Sequence, residues 1–327
     1  MKYDVFGIGS AIMDFFIQVE SNELIELNLK KGQFHLIDEI QSKKILEKIK
    51  HAEMKTAPGG SSANTLYGVA LLGGKVVFCG KVGNDEHGDI YEQKIAGENA
   101  KSAITRIEGH STGHAITFIT PDAERTFAVH LGAAIKLEKI DIFYEDLKNS
   151  KFLHIEGYQL EDPKLREVSL AAMQFARTNG IKVSIDLGDP GIVARNNKDI
   201  RMMIRNYAHI VFANEEEAKA LTEKEPKEAL DLISEMADIA VVKLGKDGSL
   251  IKQKEKIYEI VPHTVKSIDS TGAGDMYAAG FLYGLTHNYT LKQCGNIGSF
   301  LAAKVVEQIG ARLDSVDKEE VEKIKDI

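Results

Sequence analysis

The run Asp269-Ser270-Thr271-Gly272-Ala273-Gly274-Asp275 leads directly into a helical pattern, Met276 to Leu285. Gly272 and Gly274 let the backbone turn tightly and approach a ligand, and the following helix aims its first free N–H groups at whatever sits there. Such a turn is an anion hole suited to phosphoryl oxygens. Asp275, in the same turn, is held where it can take a proton from an attacking hydroxyl. Taken alone, the run also fits a glycine-rich turn with Asp275 as an ordinary first-turn residue. The rest of the chain has to decide between them.

Outward from this run, short β-branched and aromatic segments alternate with longer helical patterns, the signature of βαβ units and a parallel sheet. Strands are expected at Tyr3 to Ile8, Val76 to Gly80, Phe152 to Ile155, Lys182 to Asp186, His209 to Phe212 and Ile239 to Leu244. Helices are expected at Ser61 to Leu72, Pro163 to Thr178, Asn214 to Leu221 and Pro226 to Ala237. Two stretches break the rhythm: Ile12 to Val19 and the set from Ile104 to Val129 read as consecutive strands with no helix between them, the pattern of an antiparallel sheet. They are expected to pair as a small lid, so that residues 1–327 form one α/β domain with a lid built from segments near 12–50 and 104–130.

Composition narrows the function. Of the 327 residues 43% are hydrophobic and 28% charged, ample for a packed core. Acidic residues outnumber basic ones 49 to 41, for a net charge of −8 with no Lys/Arg block, so nucleic acid is not an expected partner. A net negative protein that binds a polyanionic nucleotide must rely on local N–H groups and metal. The two cysteines lack C-x-x-C spacing and read as small buried hydrophobes in a reducing compartment. Asp4 and Asp14 interrupt what would be the apolar part of a signal peptide, and Gly and Lys interrupt even the stretch from Gly68 to Val82, so the expected location is the cytoplasm, away from membranes.

Further motifs each carry a functional and a structural reading. Pro58-Gly59-Gly60-Ser61-Ser62-Ala63-Asn64 either converges backbone N–H groups and an amide on a polar ligand or caps a helix with a serine. Asn214-Glu215-Glu216-Glu217 opens a helix, where the dipole alone would favour acidic residues. Lys243-Leu244-Gly245-Lys246-Asp247-Gly248 follows a buried strand and fits a hairpin turn. Gly7-Ile8-Gly9 lacks the third glycine of a dinucleotide fingerprint, and no G-x-x-x-x-G-K-[ST] run, protein-kinase loop or His/Cys metal cluster is present.

The run from Asp269 to Asp275 resembles the C-terminal signature of the ribokinase-like family of carbohydrate and nucleoside kinases, and Pro58 to Asn64 resembles its N-terminal one. The likeness extends from about Tyr3 to Leu313. It implies a three-layer α/β/α sandwich with a small β lid, and an ATP- and Mg²⁺-dependent kinase that phosphorylates a primary hydroxyl of a nucleoside or sugar. Asp275 would be the base and Gly272, Ala273 and Gly274 the anion hole. By the same likeness Asp14, Gly59, Gly60 and Asn64 would hold the acceptor. Asn214 and Glu217 would lie near the nucleotide phosphates and Mg²⁺, with Glu217 acting through water. Lys243, Gly245 and Gly248 would lie along the nucleotide, although Lys243 stands where the family commonly has Thr, and Ser299 and Asn296 are weaker candidates beside it. Asp269 and Thr271 would be ligands of a monovalent cation such as K⁺. Relatives are monomers or homodimers.

Glu124-Arg125-Thr126, Leu131-Gly132-Ala133 and Gly310-Ala311-Arg312 resemble the bacterial adenosine-kinase-like branch more than ribokinase. A nucleoside needs an apolar slot for its base, which Phe15, Phe16, Phe118 and Phe127 could supply unless they are only a packed strand face. Adenosine, phosphorylated on its 5′-hydroxyl, is therefore the expected acceptor. Ribose, fructose or 2-keto-3-deoxygluconate are the alternatives. A catalytically silent sensor would be expected to have lost Asp275, and a hydrolase would release phosphate from ATP without an acceptor.

Overall fold

The computed structural model describes residues 1–122 and 124–325. Its strands are β1 (Tyr3–Ile8), β2 (Ile12–Gln18), β3 (Phe34–Leu36), β4 (Lys55–Pro58), β5 (Val76–Gly83), β6 (Ala100–Ile107), β7 (Thr112–Ile119), β8 (Arg125–Gly132), β9 (Ser150–Glu156), β10 (Lys182–Asp186), β11 (Ile210–Asn214), β12 (Ile239–Lys243), β13 (Ser249–Gln253) and β14 (Lys256–Ile260). Among the described residues they form a nine-stranded sheet ordered β14-β13-β12-β11-β10-β9-β1-β5-β6 and a five-stranded sheet ordered β3-β8-β7-β2-β4.

In the large sheet the pairs from β6 across to β12 are parallel, and β13 and β14 add an antiparallel hairpin at one edge. Successive residues serve opposite faces. Val5, Phe78, Phe212 and Val241 point into a core shared with the helices Ser61–Leu71, Ala273–Thr286 and Leu291–Val305. Phe6, Val77, Val211 and Val242 point into a second core against the helices Pro163–Thr178, Asn197–Tyr207 and Pro226–Ser234. With both faces covered, the central strands are nearly continuous apolar runs, which is why they were legible as parallel strands. The fold class is the expected α/β sandwich. β1 lies between β5 and β9, so the order of the sheet reverses there, and the carboxyl ends of β1 and β9 form the switch point where open α/β sheets bind ligands.

The small sheet differs from expectation in two ways. Residues Ile104 to Ile107 belong to β6, which pairs in parallel with β5 from Val76↔Ala100 to Gly83↔Ile107, and so lie in the large sheet. Only residues 108–111, with no helix, separate β6 from β7, so the two read as consecutive strands of one sheet although they lie in different ones. The small sheet is also mixed: β2–β7 and β3–β8 are parallel, while β2–β4 and β7–β8 are antiparallel. Its strand β4 lies just outside the expected segments.

The helix that carries Asp275 is seated by backbone contact. A Cβ on Gly280 would lie 2.7 Å from the amide nitrogen of Gly298, and one on Gly298 would lie 2.7 Å from the Tyr277 carbonyl oxygen. Gly280→Ala should therefore force Ala273–Thr286 and Leu291–Val305 apart and cost about 2 kcal/mol. A chemical-denaturation midpoint equal to wild type would show that the two helices yield freely.

Candidate active site

Apolar strands end in a polar row. Glu156, Asp186, Asn214 and Lys243 are the last residues of β9, β10, β11 and β12, in register as Glu156↔Asp186 and Asn214↔Lys243. At the switch point beside β1, buried Glu156 accepts from the Ser10 amide (2.9 Å) and the Ser62 amide (2.5 Å). It thereby joins the turn after β1 to the start of the helix Ser61–Leu71. Burial pushes its carboxyl up to about 7, against these two donors.

Asp275 sits in the first turn of Ala273–Thr286. Gly272 caps this helix in the left-handed region at φ 77°, and a Cβ there would strike the Ala311 backbone at 2.6 Å, so the turn needs glycine twice over. One Asp275 oxygen accepts from Ser61 Oγ (2.6 Å) and the other from Asn64 Nδ2 (3.0 Å). Desolvation by burial raises its carboxyl to about 6, the Ser61 and Asn64 hydrogen bonds pulling the other way. Arg312 Nε donates to Asn64 Oδ1 (2.9 Å), its guanidinium stands 5.0 Å from the centre of the Tyr67 ring, and its Nη2 is buried with no protein partner. Asp14, on β2, shares this space: burial raises its carboxyl to about 7, nearby Arg312 lowers it and Asp275 raises it. Gly59 leaves room for it, since a Cβ there would lie 2.3 Å from Asp14 Oδ1. The structure thus brings Asp14, Gly59, Asn64 and Asp275 together around Arg312.

A second cluster lies on the other side of the Gly272–Asp275 turn. Lys243 pairs with Asp186 at 2.9 Å, both side chains largely buried, and its ammonium lies 3.0 Å from the point where a Gly274 Cβ would stand. Burial works against that charge, but Asp186, then Glu217, outweigh it and hold Lys243 above its ordinary value. The substitution of Lys for the expected Thr therefore puts a positive charge over the glycine turn. Glu217 closes a capping box in which Asn214 donates its backbone N–H (2.8 Å) and Nδ2 (2.7 Å) to the two carboxylate oxygens. Burial raises Glu217 to about 7, Lys243 offsetting part of that. Among the described residues no three carboxylates, histidines or cysteines form a metal cage.

The pair expected to bind a monovalent cation is already in contact with a cation of the chain itself. Arg125, the first residue of β8, donates to Asp269 Oδ1 and to Thr271 Oγ1 (2.6 Å). The remaining nucleotide-side candidates lie farther out and have structural partners. Gly245 (φ 55°) and Gly248 (φ 89°) shape the β12–β13 turn, Ser299 Oγ donates to the Val261 carbonyl (3.4 Å), and Asn296 Nδ2 to the Lys325 carbonyl (3.3 Å).

Register divides the four phenylalanines. Asp14 and Phe16 share a face of the small sheet with Thr117, Phe127 and Arg125, through the pairs Phe16↔Thr117, Thr117↔Phe127 and Ile119↔Arg125. Phe15 and Phe118 are fully buried on the opposite face, where Phe15 stacks on His114. Only Phe16 and Phe127 stand on the Asp14 face. Sequence reading passed over Ser61, Arg125, Glu156, Asp186 and Arg312 as site residues. For Glu156 and Asp186 a signal existed: an acidic residue ending an otherwise apolar strand, at the end of the sheet where open α/β folds bind ligands.

This arrangement recurs in known proteins. Residues 8–318 match the model of the pfkB family carbohydrate kinases. Over 285 residues the chain is 32% identical to a 5-dehydro-2-deoxygluconokinase of Clostridium perfringens, covering 82% of each, and over 251 residues it is 30% identical to an uncharacterized sugar kinase of Archaeoglobus fulgidus, covering 75% of this chain and 96% of that one. A crystal structure of adenosine kinase from Sinorhizobium meliloti superimposes with a TM-score of 0.91 at 31% identity over 99% of both chains. A match of this extent, joined to the glycine turn and its aspartate, makes the chain a member of the pfkB family of carbohydrate kinases, a phosphotransferase with a hydroxyl group as acceptor.

Proposed function

We propose that the chain transfers the γ-phosphoryl group of ATP to the 5′-hydroxyl of adenosine, with the small sheet as a lid over the acceptor. The observation that carries the acceptor is the row Phe16–Thr117–Phe127 beside Asp14, an aromatic surface for a flat base next to a carboxylate able to hold ribose hydroxyls. The structural likeness to the Sinorhizobium meliloti adenosine kinase supports it. In this reading Asp14, Asn64 and the Gly59-Gly60 turn fix the ribose, and Asp275 accepts the proton of the attacking hydroxyl. Its hydrogen bonds to Ser61 and Asn64 aim the carboxylate, and its raised proton affinity suits it to a proton it must later release. The amides of Gly272, Ala273 and Gly274 and the Lys243 ammonium face the negative charge spread over the transferring group.

Mg²⁺ fits the nucleotide side through few protein ligands, since this ion keeps several waters and phosphate oxygens. Glu217 and Asp186 are the carboxylates that would face it, Glu217 through water; burial, with Asp186 nearby, raises Glu217 although Lys243 stands beside it. Bound there, the ion would neutralise phosphate charge. A second reading, a sugar acid as acceptor, is favoured by Arg312: a guanidinium with a free buried N–H beside Asp14 could take a carboxylate, and a relative is named 5-dehydro-2-deoxygluconokinase.

The base is active only when ionised, so kcat/KM should be flat above pH 7 and fall about tenfold per unit below a limb near pH 6. Asp275→Asn should lower kcat on the order of 10²-fold or more with little change in ATP affinity, and should abolish that limb. Turnover near wild type in this variant would remove Asp275 from its role.

An ATP-consumption screen over adenosine, guanosine, inosine, cytidine, ribose, fructose, 2-keto-3-deoxygluconate and 5-dehydro-2-deoxygluconate should give adenosine the highest kcat/KM. A preference of about 100-fold for a free sugar or sugar acid over every nucleoside, equivalent to about 2.7 kcal/mol, would overturn the acceptor and leave the phosphotransferase intact.

A further inference from the structure

Asp269 is the carboxylate around which the glycine turn is built. Its side chain has no solvent exposure. One oxygen accepts from the Thr271 amide (2.7 Å) and the other from the Gly310 amide (2.8 Å), so it fastens the start of the turn to the loop that leads to Arg312. A buried carboxylate holding two backbone segments needs a positive charge beside it, because an unpaired one is expelled from low dielectric or takes up a proton. In the resemblance that charge would be a monovalent metal ion on Asp269 and Thr271. Here oxygens of those same two residues, Asp269 Oδ1 and Thr271 Oγ1, accept from Nη1 of Arg125. The Arg125 side chain is itself only 16% exposed, so its positive charge stands against the buried carboxylate where a metal ion would otherwise be called for.

We propose that Arg125 is a tethered cation that takes the place of a monovalent metal ion under the phosphate-binding turn, so that the protein needs neither K⁺ nor Na⁺. The inference rests on the phosphotransferase assignment and not on the identity of the acceptor. Arg125 reaches the turn and not the reacting atoms, so it is a positioning residue: it pairs with the Asp269 carboxylate and keeps the amides of the turn aimed. Because it is the first residue of β8, two positions from Phe127, the charge is delivered by the same strand that carries the acceptor-facing aromatic.

Two readouts test this, one of them without substrate. Melting temperatures of wild type, Arg125→Ala and Arg125→Lys are compared in about 0.1 M KCl and in equal tetramethylammonium chloride, whose ion is too bulky to enter, at matched screening. Wild type and Arg125→Lys should melt alike in both salts. Arg125→Ala should melt lower in tetramethylammonium and recover by several degrees in K⁺, as a ligand that binds only the folded state requires. ATP turnover with the acceptor found by the screen should follow the same pattern, with Arg125→Ala gaining roughly tenfold or more from K⁺. A wild type that melts higher or turns over faster in K⁺ would overturn the proposal, as would an Arg125→Ala variant indifferent to K⁺. Should Arg125→Ala fail to fold in either salt, the wild-type comparison still decides.

Discussion

Two hydrogen bonds, from Ser61 and Asn64 to the two oxygens of Asp275, join segments more than two hundred residues apart in the chain, and the rest of the site depends on them. They fix one helix start against another. The helices themselves are pressed together, since a Cβ on Gly68 would lie 2.6 Å from the Ala279 Cβ. Each glycine-rich turn is therefore positioned by the other, and neither would present its amides or carboxylate usefully alone. Asn64 extends the link by accepting from Arg312, which brings the C-terminal loop into the same network. Positioning of this kind is most of what a phosphotransferase must supply, because the reaction itself demands little covalent chemistry of the protein.

The site concentrates charge that a stability argument alone would avoid. Asp14, Glu156, Glu217 and Asp275 are all raised by burial, and Arg312 beside Asp14 and Lys243 beside Glu217 and Asp275 only partly answer them. Carboxylates whose proton affinities approach neutrality are costly to keep in a folded protein and useful in a catalyst. The three basic residues are spread round the glycine turn: Lys243 over Gly274, Arg125 beneath Asp269 and Arg312 beside Asn64. A protein with a net charge of −8 thereby presents a polyanion with local positive charge on several sides.

The large sheet was legible because strands covered on both faces are apolar without interruption, and Tyr3–Ile8 and Lys182–Asp186 fell where the pattern put them. β6 was misplaced because no helix separates it from β7, so the step from one sheet to the other across residues 108–111 leaves no mark in the sequence pattern. The glycine turns were legible because their residues are adjacent in sequence. Arg125 and Arg312 were not legible as site residues, since each owes its role to partners brought by the fold: Asp269 lies 144 positions from Arg125, and Asn64 lies 248 from Arg312. Phe15 and Phe16 are neighbours in sequence, but only strand register shows that one packs and the other faces Asp14.

The small sheet joins the large one through very short connections. Residues 9–11 alone separate β1 from β2, and Gly59 and Gly60 alone separate β4 from the helix Ser61–Leu71. Three extended residues span roughly 10 Å, so β2 has no slack to swing away from the switch point. Gly9 is further hemmed in, a Cβ there lying 2.7 Å from Ser62 Cβ and 2.9 Å from a Glu156 oxygen. Residues 108–111 join β6 to β7 and β8 runs on directly at Ala133, so four connections hold the same end of the small sheet, and any opening must be a shallow rocking about that end, with the largest travel at the far end, where β2, β7 and β8 bring Gln18, Ile119 and Arg125 side by side. The hinge is at the Asp14 end and the oar at the guanidinium, so a small tilt would lift Arg125 off its carboxylate before it disturbed Asp14.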